Sequence, residues 1–247
     1  MWRPYISSVR LNKPIAPDSY LPHIPAVAHL IGGNDIAFRK PVTFLVGENG
    51  TGKSTLIEAI AVAYGFNPEG GTRNFRFSTA RSHSELGEHL ELAQRDYARD
   101  GFFLRAESFY NVASYINELD DQPAAAPPVI ASYGGVSLHH QSHGESFLSL
   151  VQHRFGGHGL YILDEPEAAL SPMRLLTLLA EIHRLVEQES QLIIATHSPL
   201  LMAYPDAEIL ELSVKGIHPV PYKETAHYQC SKLFFTDPDR MVERILE

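Results

Sequence analysis

Gly47-Glu48-Asn49-Gly50-Thr51-Gly52-Lys53-Ser54 is the stretch on which the fold turns. It fits G-x-x-x-x-G-K-[ST], the pattern of a loop that wraps phosphate groups. Before it, Val42-Thr43-Phe44-Leu45-Val46 is an apolar run that reads as a short buried strand. After it, Thr55 to Tyr64 reads as a helix. Three glycines let the backbone curl so that its N–H groups converge on phosphate oxygens. The helix N-terminus adds partial positive charge there, and Lys53 adds a full one. Ser54 offers a hydroxyl to Mg2+. A chance Gly-rich turn would not also need a strand before it and a helix after it. The stretch predicts a nucleoside triphosphate site formed by Gly47, Glu48, Asn49, Gly50, Thr51, Gly52, Lys53, Ser54 and Thr55.

Composition narrows the class. At 247 residues, the length prior allows one or two domains with ample chain for a core. An apolar fraction of 44% and a charged fraction of 20% are ordinary for a globular protein. The apolar runs fall far short of a membrane span and the start lacks a signal-peptide pattern, so no direct membrane insertion is expected. Cys230 is the lone cysteine, which excludes an internal disulfide framework and fits a cytoplasmic setting. A net charge of −9 gives no general attraction to nucleic acid or anionic lipid. A local basic patch at Arg73, Arg76 and Arg81 keeps a nucleic-acid partner open, although on its own a solvated loop is the more ordinary reading.

Along the chain, residues 1–40 carry short apolar runs broken by prolines. Tyr5 to Leu11 and Asp35 to Phe38 read as strands, so antiparallel β-structure is expected ahead of the phosphate loop. Tyr20 and Phe38 are candidates for stacking on a base, or for ordinary packing. Ser84 to Arg99 reads as a helix on the stripe Leu86, Leu90, Ala93, ended by Gly101. A strand over Phe102 to Glu107 and a helix over Tyr110 to Leu119 follow. Asp120 to Pro128 reads as a proline-rich linker. The second half is more regular. Gly159 to Leu163 is a buried strand running into Asp164-Glu165, and Ser171-Pro172 caps an amphipathic helix. Leu192 to Thr196 is another buried strand ending at His197, and Ile209 to Leu212 a further one. Tyr222 to Glu247 reads as one or two helices split at Asp237-Pro238. Strands alternating with helices predict a mostly parallel sheet, whose ligands sit at the carboxyl ends of the strands. Gly47, Asp164 and His197 all lie at such ends.

The strand-end carboxylates supply the remaining chemistry. Asp164 is placed to hold Mg2+ opposite Ser54, and Glu165 to act as general base on a water. Upstream, Gln141-Ser142-His143-Gly144-Glu145 contains a capping box, S-x-x-E, opening a helix through Phe147, Leu148, Val151 and Phe155.

These motifs, in this order, resemble the ABC-type ATPases over most of the chain. Gln141 to Glu145 is similar to their signature, L-S-G-G-Q or L-S-G-G-E. The resemblance implies that Ser142, Gly144 and Glu145 bind the γ-phosphate of ATP held by a second copy, in a head-to-tail homodimer with two sandwiched ATPs. It also implies a dimer-contacting loop at Ala168-Ala169-Leu170-Ser171 and a switch histidine at His197. The catalytic set is then Lys53, Glu165 and His197, with ATP and Mg2+ as cofactors. The implied fold is α/β, of the P-loop NTPase type: a mostly parallel sheet flanked by helices, an N-terminal antiparallel β part and a small helical insertion. A single domain over 1–247 is expected, with that insertion at about 80–130 and the linker near 120–128.

The departures count as well. His143 replaces a signature glycine, and Ser171 an aspartate. The family's Mg2+-sensing glutamine has no evident match, Glu107 being the nearest candidate. His139, His140 and His143 invite a metal site without a fourth ligand to complete it. The interval between Lys53 and Ser142 has no heptad run, which excludes the long coiled-coil arms of chromosome-maintenance relatives. The chain looks closest to compact stand-alone predicted ATPases of the AAA kind, related to the recombination and repair branch. A transporter ATPase subunit and a slowly turning nucleotide-gated scaffold are the alternatives. An unidentified protein partner is expected in each case.

Overall fold

The computed structural model describes residues 2–75, 84–120, 129–133, 135 and 142–247. The chain opens with β1 (Ile6–Leu11), followed by a helix, α1 (Pro25–Ile31). A helix was not expected among so many prolines. Pro25 occupies its first turn, where the missing N–H is no loss, and Ala26, Val27 and Leu30 are buried. Then come β2 (Ile36–Ala37), β3 (Val42–Val46) and α2 (Lys53–Tyr64), which places the phosphate-loop sequence between strand and helix as predicted.

The helix predicted over Ser84 to Arg99 is corrected. That stretch forms a single helical turn, α3 (Leu86–His89), and then a strand, β4 (Leu90–Gln94). Leu90, Leu92 and their polar neighbours also alternate with period two, and pairing with β1 decides between the two readings. Gly101, expected to end a helix, lies inside β5 (Asp100–Arg105). Next are α4 (Phe109–Asp120), α5 (His143–Arg154) and β6 (Gly159–Asp164). The chain continues with α6 (Pro172–Glu187), β7 (Gln191–Ala195) and the short α7 (Pro199–Met202). It closes with the hairpin β8 (Glu208–Ser213) and β9 (Gly216–Pro219), then α8 (Ala226–Thr236) and α9 (Pro238–Leu246). The proposed linker, beyond Asp120, lies outside the described residues.

Two sheets result. One is antiparallel, in the order β2-β1-β4; the other has the order β5-β6-β7-β3-β8-β9. The second is parallel from β5 through β8, and β9 returns antiparallel. Its central strands are buried on both faces, as parallel strands between helices should be. Alternate residues divide between two apolar layers. Phe44, Phe102, Tyr161 and Ile194 face the layer shared with Phe147 and Val151 of α5 and Leu178 and Ile182 of α6. Leu45, Phe103, Ile162 and Ile193 face α2, through Leu56, Ile57 and Ile60, and the antiparallel sheet, through Ile6 and Val9. The carboxyl ends of β5, β6, β7 and β3 therefore line up along one rim, and the predicted site residues follow directly from them.

Candidate nucleotide site

The loop between β3 and α2 is shaped by its glycines. Gly47 has φ +145°, and a Cβ there would collide with the Leu212 carbonyl. Gly52 has φ +95°, and a Cβ there would strike the Ile24 side chain. Ile24 precedes α1, whose Ala26 N–H donates to the Thr51 carbonyl at 3.1 Å, so the unexpected helix braces the loop. Lys53 is buried and donates to the carbonyls of Gly47 (2.8 Å) and Glu48 (3.2 Å). Burial lowers its ammonium pKa, with Glu165 and Asp164 pulling the other way. The cleft in front holds about 300 Å3 and is lined by Ile24, Asn49, Gly50, Gly52, Lys53, Ser54, Thr55 and Glu165.

Beside it, the Ser54 hydroxyl donates to Asp164 Oδ1 at 3.2 Å, joining the first turn of α2 to the end of β6. Burial pushes the Asp164 carboxyl up to about 6, against the opposing pull of Arg105. Arg105, at the end of β5, carries Nη1 2.6 Å from Glu58 Oε2 and Nε 3.5 Å from Asp164 Oδ2. The second distance is charge attraction rather than a hydrogen bond, and the buried Nε has no hydrogen-bond partner among the described residues. Glu107 is 87% exposed and lies 3.6 Å from Arg105 Nη2. It lines a second cavity of about 290 Å3 with Ser54, Ala106, His143, Asp164, Glu165 and Ala168. A hydroxyl and carboxylates converging on one cavity form the hard oxygen donor set that suits Mg2+.

Glu165 occupies a left-handed conformation, φ 49° and ψ 53°, uncommon for a residue with a side chain. Its N–H donates to the Ala195 carbonyl of β7 at 3.0 Å. The result places Glu165 Oε1 3.6 Å from His197 Nε2. Glu167, two residues on, accepts from the Thr196 hydroxyl at 2.8 Å and from the His197 N–H. On its other side His197 Nδ1 stands 3.1 Å from Nε2 of His227 in α8.

At the signature stretch, Gln141 lies outside the described residues, as do His139 and His140. The capping box at Ser142 and Glu145 forms. The Glu145 carboxylate accepts from the Ser142 N–H (3.1 Å) and hydroxyl (2.7 Å). Arg174 of α6 donates to both, at 3.2 Å to Ser142 Oγ and 3.0 Å to Glu145 Oε1. Gly144 lets α5 approach the Ala169 carbonyl, where a Cβ would not fit. His143 meets the ring of Phe109 edge-on, 5.4 Å between centroids. Ala168 and Ala169 lie in a short 3-10 turn, and Ser171 occupies the N-cap position of α6 without a side-chain bond to it. Of the basic patch, Arg73 is described and stacks 5.5 Å from the Tyr64 ring centre; Arg76 and Arg81 are not. Phe38 is core, whereas Tyr20 is exposed.

Residues 28–120 match a family model described as an AAA domain. Residues 132–203 match another, described as an AAA domain, putative AbiEii toxin, Type IV TA system. No curated protein matches the sequence. Among solved structures, an inward-facing putative metal-chelate type ABC transporter aligns with a TM-score of 0.52 at 14% identity, over 92% of this chain and 88% of its own. The cbiO1 protein of Clostridium perfringens, part of the ABC transporter complex cbiONQ, aligns at 0.52 and 17% identity, over 98% and 99%. The fold is that of an ABC-type P-loop ATPase. An SMC head domain from Thermotoga maritima also aligns, at 0.41 and 16% identity over 76% and 92%.

This ATPase fold brings Lys53, Ser54, Asp164, Glu165 and His197 to one rim. Sequence reasoning missed Arg105, Glu167, Arg174 and His227. Arg105 left a visible signal, a cation directly after the apolar run Phe102-Phe103-Leu104. Glu167 left a weaker one, a third carboxylate within four residues of Asp164. Nothing local marks Arg174 or His227, whose partners lie about thirty residues away. Among the described residues no helix is long and apolar enough to cross a membrane.

Proposed function

We propose that this protein binds ATP with Mg2+ and hydrolyses it to ADP and phosphate, as a single ATPase domain acting in a head-to-tail homodimer. The observation that carries the reading is one cleft lined by Lys53, Ser54 and Glu165, with Asp164 3.2 Å from Ser54 and His197 3.6 Å from Glu165.

Lys53 has two of its donors on loop carbonyls, and these bonds exchange for phosphate oxygens when nucleotide enters the loop. Ser54 and Asp164 would hold the metal, with Glu107 at the open side of the same cavity. When bound there, Mg2+ would supply positive charge against the phosphates. Glu165 takes the proton of the attacking water, and His197 donates to the oxygen where charge develops. Ser142, Gly144 and Glu145 open α5 with backbone N–H groups and a hydroxyl, donors suited to the γ-phosphate held by the second copy. That contact requires the Glu145 carboxylate to release the Ser142 hydroxyl, so closure of the dimer gates hydrolysis. The cycle would drive an unidentified cytoplasmic protein partner or a nucleic-acid transaction.

Mixing tests the composite site. Neither Ser142→Arg nor Lys53→Ala protein turns over alone, yet their mixture contains one intact site per mixed dimer. Partial activity at equal amounts is expected; no rescue at any ratio refutes the shared site. Turnover measured alone, with DNA and with RNA then tells which partner class stimulates the cycle.

A further inference from the structure

His227 lies in the first turn of α8, held there by its cap: the Thr225 hydroxyl accepts from the Tyr228 N–H at 3.2 Å. Its ring is half-buried against His197, with centroids 5.2 Å apart. Between His197 Nδ1 and His227 Nε2, 3.1 Å apart, lies one hydrogen bond, so one nitrogen carries the proton and the other the lone pair. Burial lowers the pKa of both rings, which leaves both neutral near pH 7.

The two arrangements are not equivalent. If His197 donated from Nδ1, a neutral His227 would carry its proton on Nδ1. That atom is buried and meets no hydrogen-bond partner among the described residues. It goes unpaired as an N–H here and as a lone pair in the reverse arrangement, so its burial does not choose between the two. His197 would also turn a lone pair at Nε2 toward the Glu165 carboxylate, 3.6 Å away. In the reverse arrangement His227 donates from Nε2, its buried Nδ1 is a bare lone pair, and His197 carries its proton on Nε2, facing Glu165. The second arrangement avoids the facing lone pairs and turns an N–H toward the Glu165 carboxylate instead, and that contact decides between them.

We propose that His227 is a positioning residue that fixes His197 as the Nε2–H tautomer, aimed at the general base and the phosphate beyond it. The role rests on the reading of His197 given above, and it makes the seating of α8 a condition of full turnover. A detached α8 leaves His197 free to choose either tautomer.

The test compares full-length wild type, His227→Ala, His227→Gln and His197→Ala by steady-state ATP turnover, and the His197 tautomer by two-bond 15N–1H spectra of the side chain. Glutamine keeps a donor near the place of Nε2. The expected result is an Nε2–H His197 in wild type and a mixture in His227→Ala. For His227→Ala, kcat falls about 5- to 30-fold with KM changed less than about 2-fold, the scale of one lost hydrogen bond in the transition state. His227→Gln recovers most of the loss, which a purely structural defect would not allow. An Nδ1–H His197 in wild type overturns the proposal. So does an unchanged kcat in His227→Ala when His197→Ala is impaired. Should His197→Ala turn over normally, the catalytic reading of that histidine fails, and the spectra alone judge the tautomer.

Discussion

Glu167, in the turn after β6, holds the backbone N–H of His197, just past the end of β7. The same carboxylate takes the Thr196 hydroxyl at 2.8 Å. Burial pushes its carboxyl pKa up, and the bonds from His197 and Thr196 oppose that. Glu167 thus locks the turn after β6, which carries Glu165, to the end of β7, which carries His197. The distance between base and switch histidine depends on this lock.

Replacing Glu167 by alanine leaves a buried N–H and a hydroxyl without their acceptor. We expect a loss of about 1–3 kcal/mol in stability by denaturant unfolding. We also expect at least a roughly 10-fold drop in kcat with ATP affinity within about 3-fold, because misplacement of catalytic groups acts on the transition state. Equal turnover in wild type and Glu167→Ala would show that the lock does not position the site.

Glu165→Gln removes the proton acceptor and keeps the shape of the side chain. Turnover should fall about 10²- to 10⁴-fold, the usual worth of a general base, while ATP binding survives. The dimer should then last longer in ATP, which gel filtration or light scattering reads directly. If Glu165→Gln hydrolyses ATP as fast as wild type, another group takes the proton.

What the sequence shows plainly are local features. The strand-loop-helix around Lys53, the capping box at Ser142, the carboxylates ending β6 and the Ser171-Pro172 start of α6 each depend on neighbours within a few residues. The misread parts depend on distant partners. Leu86, Leu90 and Ala93 satisfy a helical stripe, and only the open edge of β1 makes Leu90–Gln94 a strand. Pro25 looked like a breaker because its role as a helix start emerges only when Ala26 and Val27 find a core. Arg105, Arg174 and His227 reach their partners through the topology of the sheet, and no spacing encodes that.

Arg105 is the charge on which the metal side of the site rests. Its side chain is 17% exposed and its partner Glu58 8%. Glu58 also accepts the Ser84 N–H at 2.8 Å, so it stays buried without the arginine. Arg105→Leu should lower stability by about 3–5 kcal/mol, the cost of stranding a buried charge. Restoring neutrality with Glu58→Gln in the same chain should recover part of it, a coupling that a double-mutant cycle in urea measures. Strict additivity of the two losses would mean that the pair contributes nothing.

The His197–His227 pair gives the fold an acid limit of predictable sign. Burial is the largest cause holding each ring below the ordinary 6.5, with Lys53 in the same direction for both and His197 for His227. Glu165 and Glu48 oppose this at His197, and Glu48 and Glu211 at His227. The folded chain therefore takes up these protons less readily than the unfolded chain. Their contribution is complete above the ordinary value and declines as pH falls below it. Asp164 runs the opposite way: its carboxyl, raised to about 6 from 3.8, favours the fold in acid and loses that advantage as pH rises through about 6. Comparing wild type with His227→Gln cancels Asp164, because both proteins carry it. From about pH 8 down to about 6.5 the two stability curves should run parallel, and below that wild type should fall more steeply, since it alone must charge a second buried ring. Urea unfolding at intervals from about pH 8 to about 5.5 measures this. Parallel curves throughout would mean that His227 titrates as freely in the folded chain as in the unfolded one.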